Sequence, residues 1–204
     1  MLFDEKNEEY IKQNRKTNFN AFDIPLCYDV PNDYLHTLTS NLNKKNKIIY
    51  FGRIDGPQKN IELLNQINMK LNLIDFYGVG NKDLIDKLGN SYKGYILPDA
   101  DLEKLFSQYK FLILMSNYEG FPYGTVQALS YGVPIIVRNS FISANFLSGD
   151  GKNGLLLPKN ASIDEYTKLI SDFYNLDQKE YLNLCTNAYE FALKNLDDKV
   201  FEEK

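Results

Sequence analysis

Residues Asn117–Val137 read NYEGFPYGTVQALSYGVPIIV. One apolar run, Phe111–Met115, comes just before them, and another, Val133–Val137, closes them. Short apolar runs bounded by turn residues suit strands buried on both faces. Between the runs stand one acid, Glu119, and a turn containing Gly120, Pro122 and Gly124. Gly124–Tyr131 reads as a helix, with Val126, Ala128 and Leu129 facing a core. The stretch is therefore strand, turn, helix, strand, with Gln127 eight positions beyond the lone carboxylate. A carboxylate after a strand accepts hydrogen bonds from hydroxyls of a polar ligand, and free amides at a helix start meet phosphate oxygens. An ordinary turn with Glu119 in solvent fits the same residues.

The alternation extends outward. Lys47–Gly52, Leu73–Tyr77, Tyr92–Ile96, Pro134–Val137 and Gly154–Leu157 are further strand candidates. Asn60–Leu71 has apolar residues at 61, 63, 64, 67 and 71, which is helical spacing. Asp83–Leu88 and Leu102–Tyr109 are shorter helix candidates, and amphipathic helices are expected over 162–175 and 178–195. Strands alternating with helices imply right-handed crossovers and one doubly wound parallel α/β sheet covered on both faces. Ligands of such sheets bind beyond the carboxyl ends of the strands. The loops after 52, 78, 96, 115 and 137 are thus the places to seek chemistry. Earlier in the chain, Glu5–Lys16 reads as a short solvated helix and Ala21–Tyr34, with Pro25 and Pro31, as an extended lead-in. Polar Asn41–Lys47 marks a boundary, giving an expected lead-in over 1–45, an α/β domain over 46–176 and a helical tail over 177–204.

Composition narrows the function classes. The 204 residues are 44% hydrophobic and 14% aromatic, enough for one sizeable core. A net charge of −4 argues against a nucleic-acid binder held by a broad basic field, but leaves room for a local anion site. Cys27 and Cys185 have neither metal nor disulfide-framework spacing and read as reduced thiols of a cytoplasmic protein. His36 is the only histidine, so a histidine-rich metal site is excluded. The polar start MLFDEKNEEY does not resemble a secretory signal, and no apolar run approaches the roughly 20 residues that span a bilayer. At most, a peripheral location at the inner face of the membrane is expected.

The other loops offer competing readings. Arg53 and Lys59 bracket Gly52–Lys59 and, beside a helix N-terminus, would suit a diphosphate; two surface cations around a turn shaped by Pro57 are the plain alternative. Gly78-Val79-Gly80 follows a strand, but a dinucleotide fingerprint needs a glycine where Asp83 stands, which argues against a nicotinamide cofactor. Asp99 and Asp101 form an acid pair of the kind that chelates a metal, yet they open a helix, where capping accounts for them.

Taken in order, GRIDGPQKN (52–60), DFYGVGN (75–81), KGYI (93–96) and the opening stretch resemble the C-terminal half of retaining GT-B glycosyltransferases of group 1, also called family 4. The resemblance covers roughly 45–175, and the E-x7-E region from Glu119 is its most specific part. It implies two Rossmann-like domains facing across a cleft. The donor, a nucleoside diphosphate sugar of the UDP or GDP type, binds the C-terminal domain, and a glycan or lipid-linked acceptor binds the N-terminal one. Arg53 and Lys59 match the pair that grips the diphosphate, and Ile96 falls where main-chain atoms contact the base. Glu119 matches the acid that hydrogen-bonds the donor sugar. Phe121, Pro122, Tyr123, Gly124 and Thr125 match the loop whose amides reach sugar and phosphate.

Two positions depart from that pattern. Gln127 stands where a second Glu holds the ribose hydroxyls, and Pro122 replaces a glycine, which removes one amide donor. The implied reaction is hexosyl transfer with retention in polysaccharide assembly. Arg53, Lys59 and helix amides would stabilise the departing diphosphate without a metal or a cofactor, and Glu119 would position the sugar. The acceptor domain is missing, so the chain is expected to be the donor half of a truncated or split enzyme, inactive alone. Its C-terminal helices would then leave apolar surface exposed. A non-catalytic nucleotide-sugar-binding or assembly module is the alternative.

Overall fold

The computed structural model describes residues 27–32, 34, 46–96 and 101–202. The expected helix at Glu5–Lys16, most of the lead-in, His36, Asn41–Lys45 and Pro98–Ala100 lie outside the described residues. The order is β1 (Ile48–Phe51), α1 (Ile61–Leu71), β2 (Ile74–Tyr77), α2 (Lys82–Leu88), a 3-10 turn (Gly89–Ser91) and β3 (Tyr92–Gly94). Next come α3 (Leu102–Phe106), β4 (Phe111–Leu114), α4 (Tyr123–Ser130), β5 (Ile135–Arg138), α5 (Ser143–Ser148), β6 (Gly154–Leu157), α6 (Ile163–Tyr174), α7 (Gln178–Asn195) and α8 (Lys199–Glu202).

The six strands form one sheet in the order β3-β2-β1-β4-β5-β6, with every pairing parallel. This is a Rossmann-like doubly wound sheet, and the strand order reverses between β1 and β4. Right-handed crossovers leaving β1 and β4 in opposite directions put α1 and α4 on opposite faces. Helix α6 packs beside α1, and α7 beside α4. Both faces are therefore covered, which is why Ile48, Ile49, Tyr50, Phe111–Leu114 and Ile135–Val137 are buried without alternation.

Side-chain caps fix several helix starts. Asn81 accepts from the Leu84 amide at 3.1 Å, and Asp177 and Glu180 form a reciprocal capping box at α7. Asp101 accepts from the Lys104 amide at 2.9 Å and so acts as the cap of α3; Asp99 is outside the described residues.

Among the described residues, the helices beyond 176 do not carry the exposed apolar face expected for them. Tyr181, Cys185, Ala188, Tyr189, Ala192 and Leu196 belong to the same core as the sheet. Their apolar side is satisfied by α4 and by the short segment at 27–32 with Tyr34. There Tyr28 N donates to Leu196 O at 2.8 Å, and Tyr189 Oη donates to Pro31 O at 2.5 Å. Among the described residues, the large exposed apolar side chains other than Met69 follow the carboxyl ends of strands: Val79, Tyr95, Tyr118, Tyr123, Ile142 and Phe146.

Candidate functional site

The loops after β1 and β4 leave the sheet at the switch point and are sewn together. The Asn117 amide donates to Gln58 O at 2.8 Å, and Asn117 Nδ2 donates to Pro57 O at 3.0 Å. Asn60 turns into α1 with φ 56°, a left-handed conformation that asparagine tolerates. From there its Nδ2 donates to Met115 O at 3.4 Å. The loop after β5 joins the same seam: Ser140 Oγ donates to Ser116 O at 2.5 Å, and Ser143 Oγ to Gly120 O at 2.8 Å.

This seam sets the charged groups. Asp55 Oδ1 accepts from the backbone amides of Gln58 (3.0 Å) and Lys59 (3.1 Å), which closes the turn. Asp55 Oδ2 lies 2.7 Å from Arg53 Nε. Partial burial alone would raise the Asp55 carboxyl, but the two amides and the guanidinium outweigh it and hold it below its ordinary value. Lys59 Nζ reaches Glu119 Oε1 at 2.5 Å, and Ser116 Oγ donates to the same oxygen at 2.7 Å. Gln58 stands between the cations, accepting from Arg53 Nη2 and donating from Nε2 to Glu119 Oε2 at 3.2 Å.

A cleft of about 290 Å3 opens over this cluster, lined by Arg53, Gln58 and Lys59 on one side and by Pro122, Tyr123, Gly124 and Thr125 on the other. Its far wall is the start of α4, where the Tyr123 and Gly124 amides precede the first intrahelical bond and the Thr125 amide donates to Pro122 O at 3.1 Å. Gly124 lies close against β1, where an added Cβ would stand 3.0 Å from Phe51 O. Thr125 is buried, with Oγ1 donating to Pro122 O at 2.6 Å. Phe121 is also buried, its ring 6.2 Å from that of Phe146, and it does not line the cleft. The combination offers an anion two cations and a helix N-terminus, and offers a polyol one well-oriented carboxylate.

Arg53, Lys59 and 122–125 thus line one cleft, and Glu119 is tied to it through Lys59 and Gln58. Two further sequence candidates stand apart. Gln127 lines a neighbouring depression of about 570 Å3 with Tyr28, Tyr131, Asp101 and Glu103, joined to the cleft through Tyr123. Ile96 follows the edge strand β3 and does not line the cleft. Gln58 and Asp55 were not singled out from the sequence. The signal for Gln58 is its position one residue before Lys59 in a loop already suspected, but its link to Glu119 spans 61 positions and is invisible locally.

The glycine pair has a packing role. Gly78 (φ 155°) and Gly80 (φ 156°) run against the loop after β1, where an added Cβ would sit 1.7 Å from Gly52 O and 2.0 Å from Ile54 O. Bonds from Gly52 N to Tyr77 O (3.0 Å), Ile54 N to Val79 O (2.8 Å) and Asn81 N to Ile54 O (2.8 Å) hold the two loops backbone to backbone. The pair therefore shapes the loop that carries Arg53.

The family model described as glycosyl transferases group 1 matches residues 39–191. The chain belongs to this family. Among solved structures, it is similar to sucrose-phosphate synthase from Thermosynechococcus elongatus, at a TM-score of 0.70 and 17% identity over 97% of this chain and 54% of that one. S. aureus TarM, solved with fondaparinux, α-GlcNAc-glycerol and UDP, gives 0.68 and 20% over 98% and 41%. WaaG, a glycosyltransferase involved in lipopolysaccharide biosynthesis, gives 0.67 and 15% over 98% and 60%. These likenesses place the fold with GT-B glycosyltransferases, and the family places the chain as their C-terminal domain. The chain spans about two-fifths to three-fifths of the length of these structures. No curated protein matches it. Among the described residues, no helix is long and apolar enough to cross a membrane.

Proposed function

We propose that this domain binds the donor of a retaining glycosyltransferase, a nucleoside diphosphate sugar of the UDP or GDP type. The observation that carries the reading is the shared cleft, in which Arg53, Lys59 and the start of α4 converge beside the Glu119 carboxylate. The diphosphate lies between the two cations and the α4 amides, which stabilise the negative charge on the departing oxygen as the anomeric C–O bond breaks. Glu119 accepts hydrogen bonds from sugar hydroxyls and orients the ring. The nucleoside extends past Tyr123 toward Gln127, whose amide accepts from and donates to the ribose diol. The acceptor, a glycan or a lipid-linked sugar, faces the cleft from a second domain, so this half alone does not turn over. Nothing in this scheme requires a metal or a cofactor.

In the free state each cation has its own carboxylate, Arg53 with Asp55 and Lys59 with Glu119. The cleft is therefore electrically balanced, which favours a second reading in which the chain binds nucleotide sugars without catalysing transfer. Titration calorimetry with uridine and guanosine diphosphates tests the first step. Saturable binding of at least one nucleotide, weakened about tenfold or more by Arg53→Ala, is expected. Absence of heat with both nucleotides overturns it. Transfer by the two-domain enzyme that Glu119→Ala abolishes separates the catalytic reading from the second one.

A further inference from the structure

We infer that Gln58 is a positioning residue that ties the diphosphate half of the cleft to the sugar half. It does so by fixing Arg53 with its amide oxygen and Glu119 with its amide nitrogen. The inference rests on the donor-binding reading above and assigns a task within it.

The orientation of the amide follows from chemistry. A guanidinium only donates and a carboxylate only accepts, so Oε1 must face Arg53 Nη2 and Nε2 must face Glu119 Oε2. The Gln58 backbone is clamped as well. Its N–H donates to Asp55 Oδ1 at 3.0 Å, its carbonyl accepts the Asn117 amide at 2.8 Å, and Nε2 has a further acceptor, Tyr118 O, at 3.4 Å. With Asp55 on Nε and Gln58 on Nη2, Arg53 is held at two points, which leaves Nη1 to meet a phosphate. Glu119 Oε1 is loaded by Lys59 and Ser116, so Oε2, steadied by Gln58, is the oxygen with capacity for a sugar hydroxyl.

Residue type matters here. A glutamate at 58 would still accept from Arg53 but would set carboxylate against carboxylate at Glu119. A lysine would do the reverse. A neutral amide serves both partners at once, so the grip on phosphate and the grip on sugar share one rigid link.

The test is calorimetry on the full chain with uridine diphosphate, guanosine diphosphate, uridine diphosphate glucose and guanosine diphosphate mannose. Two quantities are read: affinity for the bare diphosphate, and the further gain when the sugar is attached. Gln58→Ala is expected to weaken bare diphosphate binding about tenfold and to reduce the sugar gain by a similar factor. Double-mutant cycles then isolate the route. In an Arg53→Ala background the Gln58 change should leave diphosphate affinity unaltered, and in a Glu119→Ala background it should leave the sugar gain unaltered. A merely structural role would instead give additive losses in both backgrounds, and that result overturns the inference, as does wild-type behaviour of Gln58→Ala. A sugar conjugate that binds no better than its bare diphosphate also overturns it. Gln58→Met, similar in length and without polar atoms, replaces Gln58→Ala if thermal melting shows that variant unfolded. Failure of the donor-binding reading looks different: the wild-type chain then binds none of the four probes.

Discussion

Lys59 Nζ and Glu119 Oε1 lie 2.5 Å apart, with only 14% of the lysine side chain and 7% of the glutamate side chain exposed. The pair joins a residue of the loop after β1 to one of the loop after β4, across the point where the sheet reverses its strand order. An exposed pair contributes at most about 1 kcal/mol, whereas breaking a buried one by removing one partner costs about 3–5 kcal/mol. This pair is intermediate in burial. Lys59→Met is therefore expected to destabilise the chain by about 2 kcal/mol, because Glu119 is left charged and largely enclosed. Adding Glu119→Gln to Lys59→Met should recover part of that loss. Urea unfolding of the two single variants and the double variant checks both statements, and a double variant no more stable than Lys59→Met would contradict them.

Gly78 and Gly80 supply a second expectation. A methyl group at Gly78 would fall 1.7 Å from Gly52 O, a backbone atom held in place by its own strand. Gly78→Ala should destabilise by about 3 kcal/mol or more, since the loops after β1 and β2 must part. Gly120→Ala should stay within about 0.5 kcal/mol, because an added Cβ there meets nothing within 4 Å and φ is not left-handed. Thermal melting of the two variants side by side gives the comparison. Because the Gly52–Ile54 backbone carries Arg53, Gly78→Ala should also weaken nucleotide binding without touching the cleft.

These glycines show where the sequence stops being legible. Apolar runs such as Phe111–Leu114 declared buried strands, because burial on both faces leaves no polar positions to confuse the pattern. The helix at 178–195 was visible in its spacing. Which surface that helix would cover was not, since that depends on α4 and on the segment at 27–32 with Tyr34, far away in the chain. Helix α5 went unread because Ser143–Ser148 is short and mostly small or polar. Within the site, the charged residues announced themselves by type and by position after strands. Gln58 did not, because an amide carries meaning only through its partners, and here those are Arg53 and Glu119. Ile96 follows the edge strand β3 and Gln127 lies within α4, facing the neighbouring depression, so neither lines the cleft.

The tyrosines predict behaviour at high pH. Burial is the main reason that the Tyr34 hydroxyl is pushed up to about 12, with the Glu103 and Asp101 charges adding to it. Burial also raises Tyr50, helped by Asp55 and Glu119 and opposed by Arg53, and its Oη donates to Arg53 O at 2.5 Å. A hydroxyl whose folded value exceeds its unfolded value of 10.0 binds its proton more tightly when folded. The associated stability is intact below pH 10 and is lost as pH rises beyond it, because the unfolded chain ionises first. Urea midpoints should hold steady up to about pH 9 and fall between about pH 10 and 12. Tyr50→Phe should flatten that fall while lowering neutral-pH stability by about 1 kcal/mol for the lost hydrogen bond. A midpoint indifferent to pH over this range would remove the argument.

Asp55 works in the opposite direction, and its titration reaches the site. Its carboxyl, despite the opposing effect of burial, is held below the ordinary 3.8 by the Lys59 and Gln58 amides and by Arg53. A depressed folded value means the carboxylate is favoured by folding. Its contribution is fully present well above 3.8 and is lost as pH falls through the folded value, where the proton finally binds. Acid unfolding should therefore carry a component that starts near about pH 5 and grows below pH 4, and Asp55→Asn should diminish it. The same change removes the anion that holds Arg53 Nε, while the side-chain oxygen that remains can still accept the Gln58 and Lys59 amides, so nucleotide binding at neutral pH should weaken about tenfold through Arg53. Calorimetry at neutral pH together with unfolding between pH 2 and 7 separates the two effects. A variant that keeps wild-type affinity would show that Arg53 finds its place without Asp55, and that the turn, rather than the ion pair, is what the carboxylate maintains.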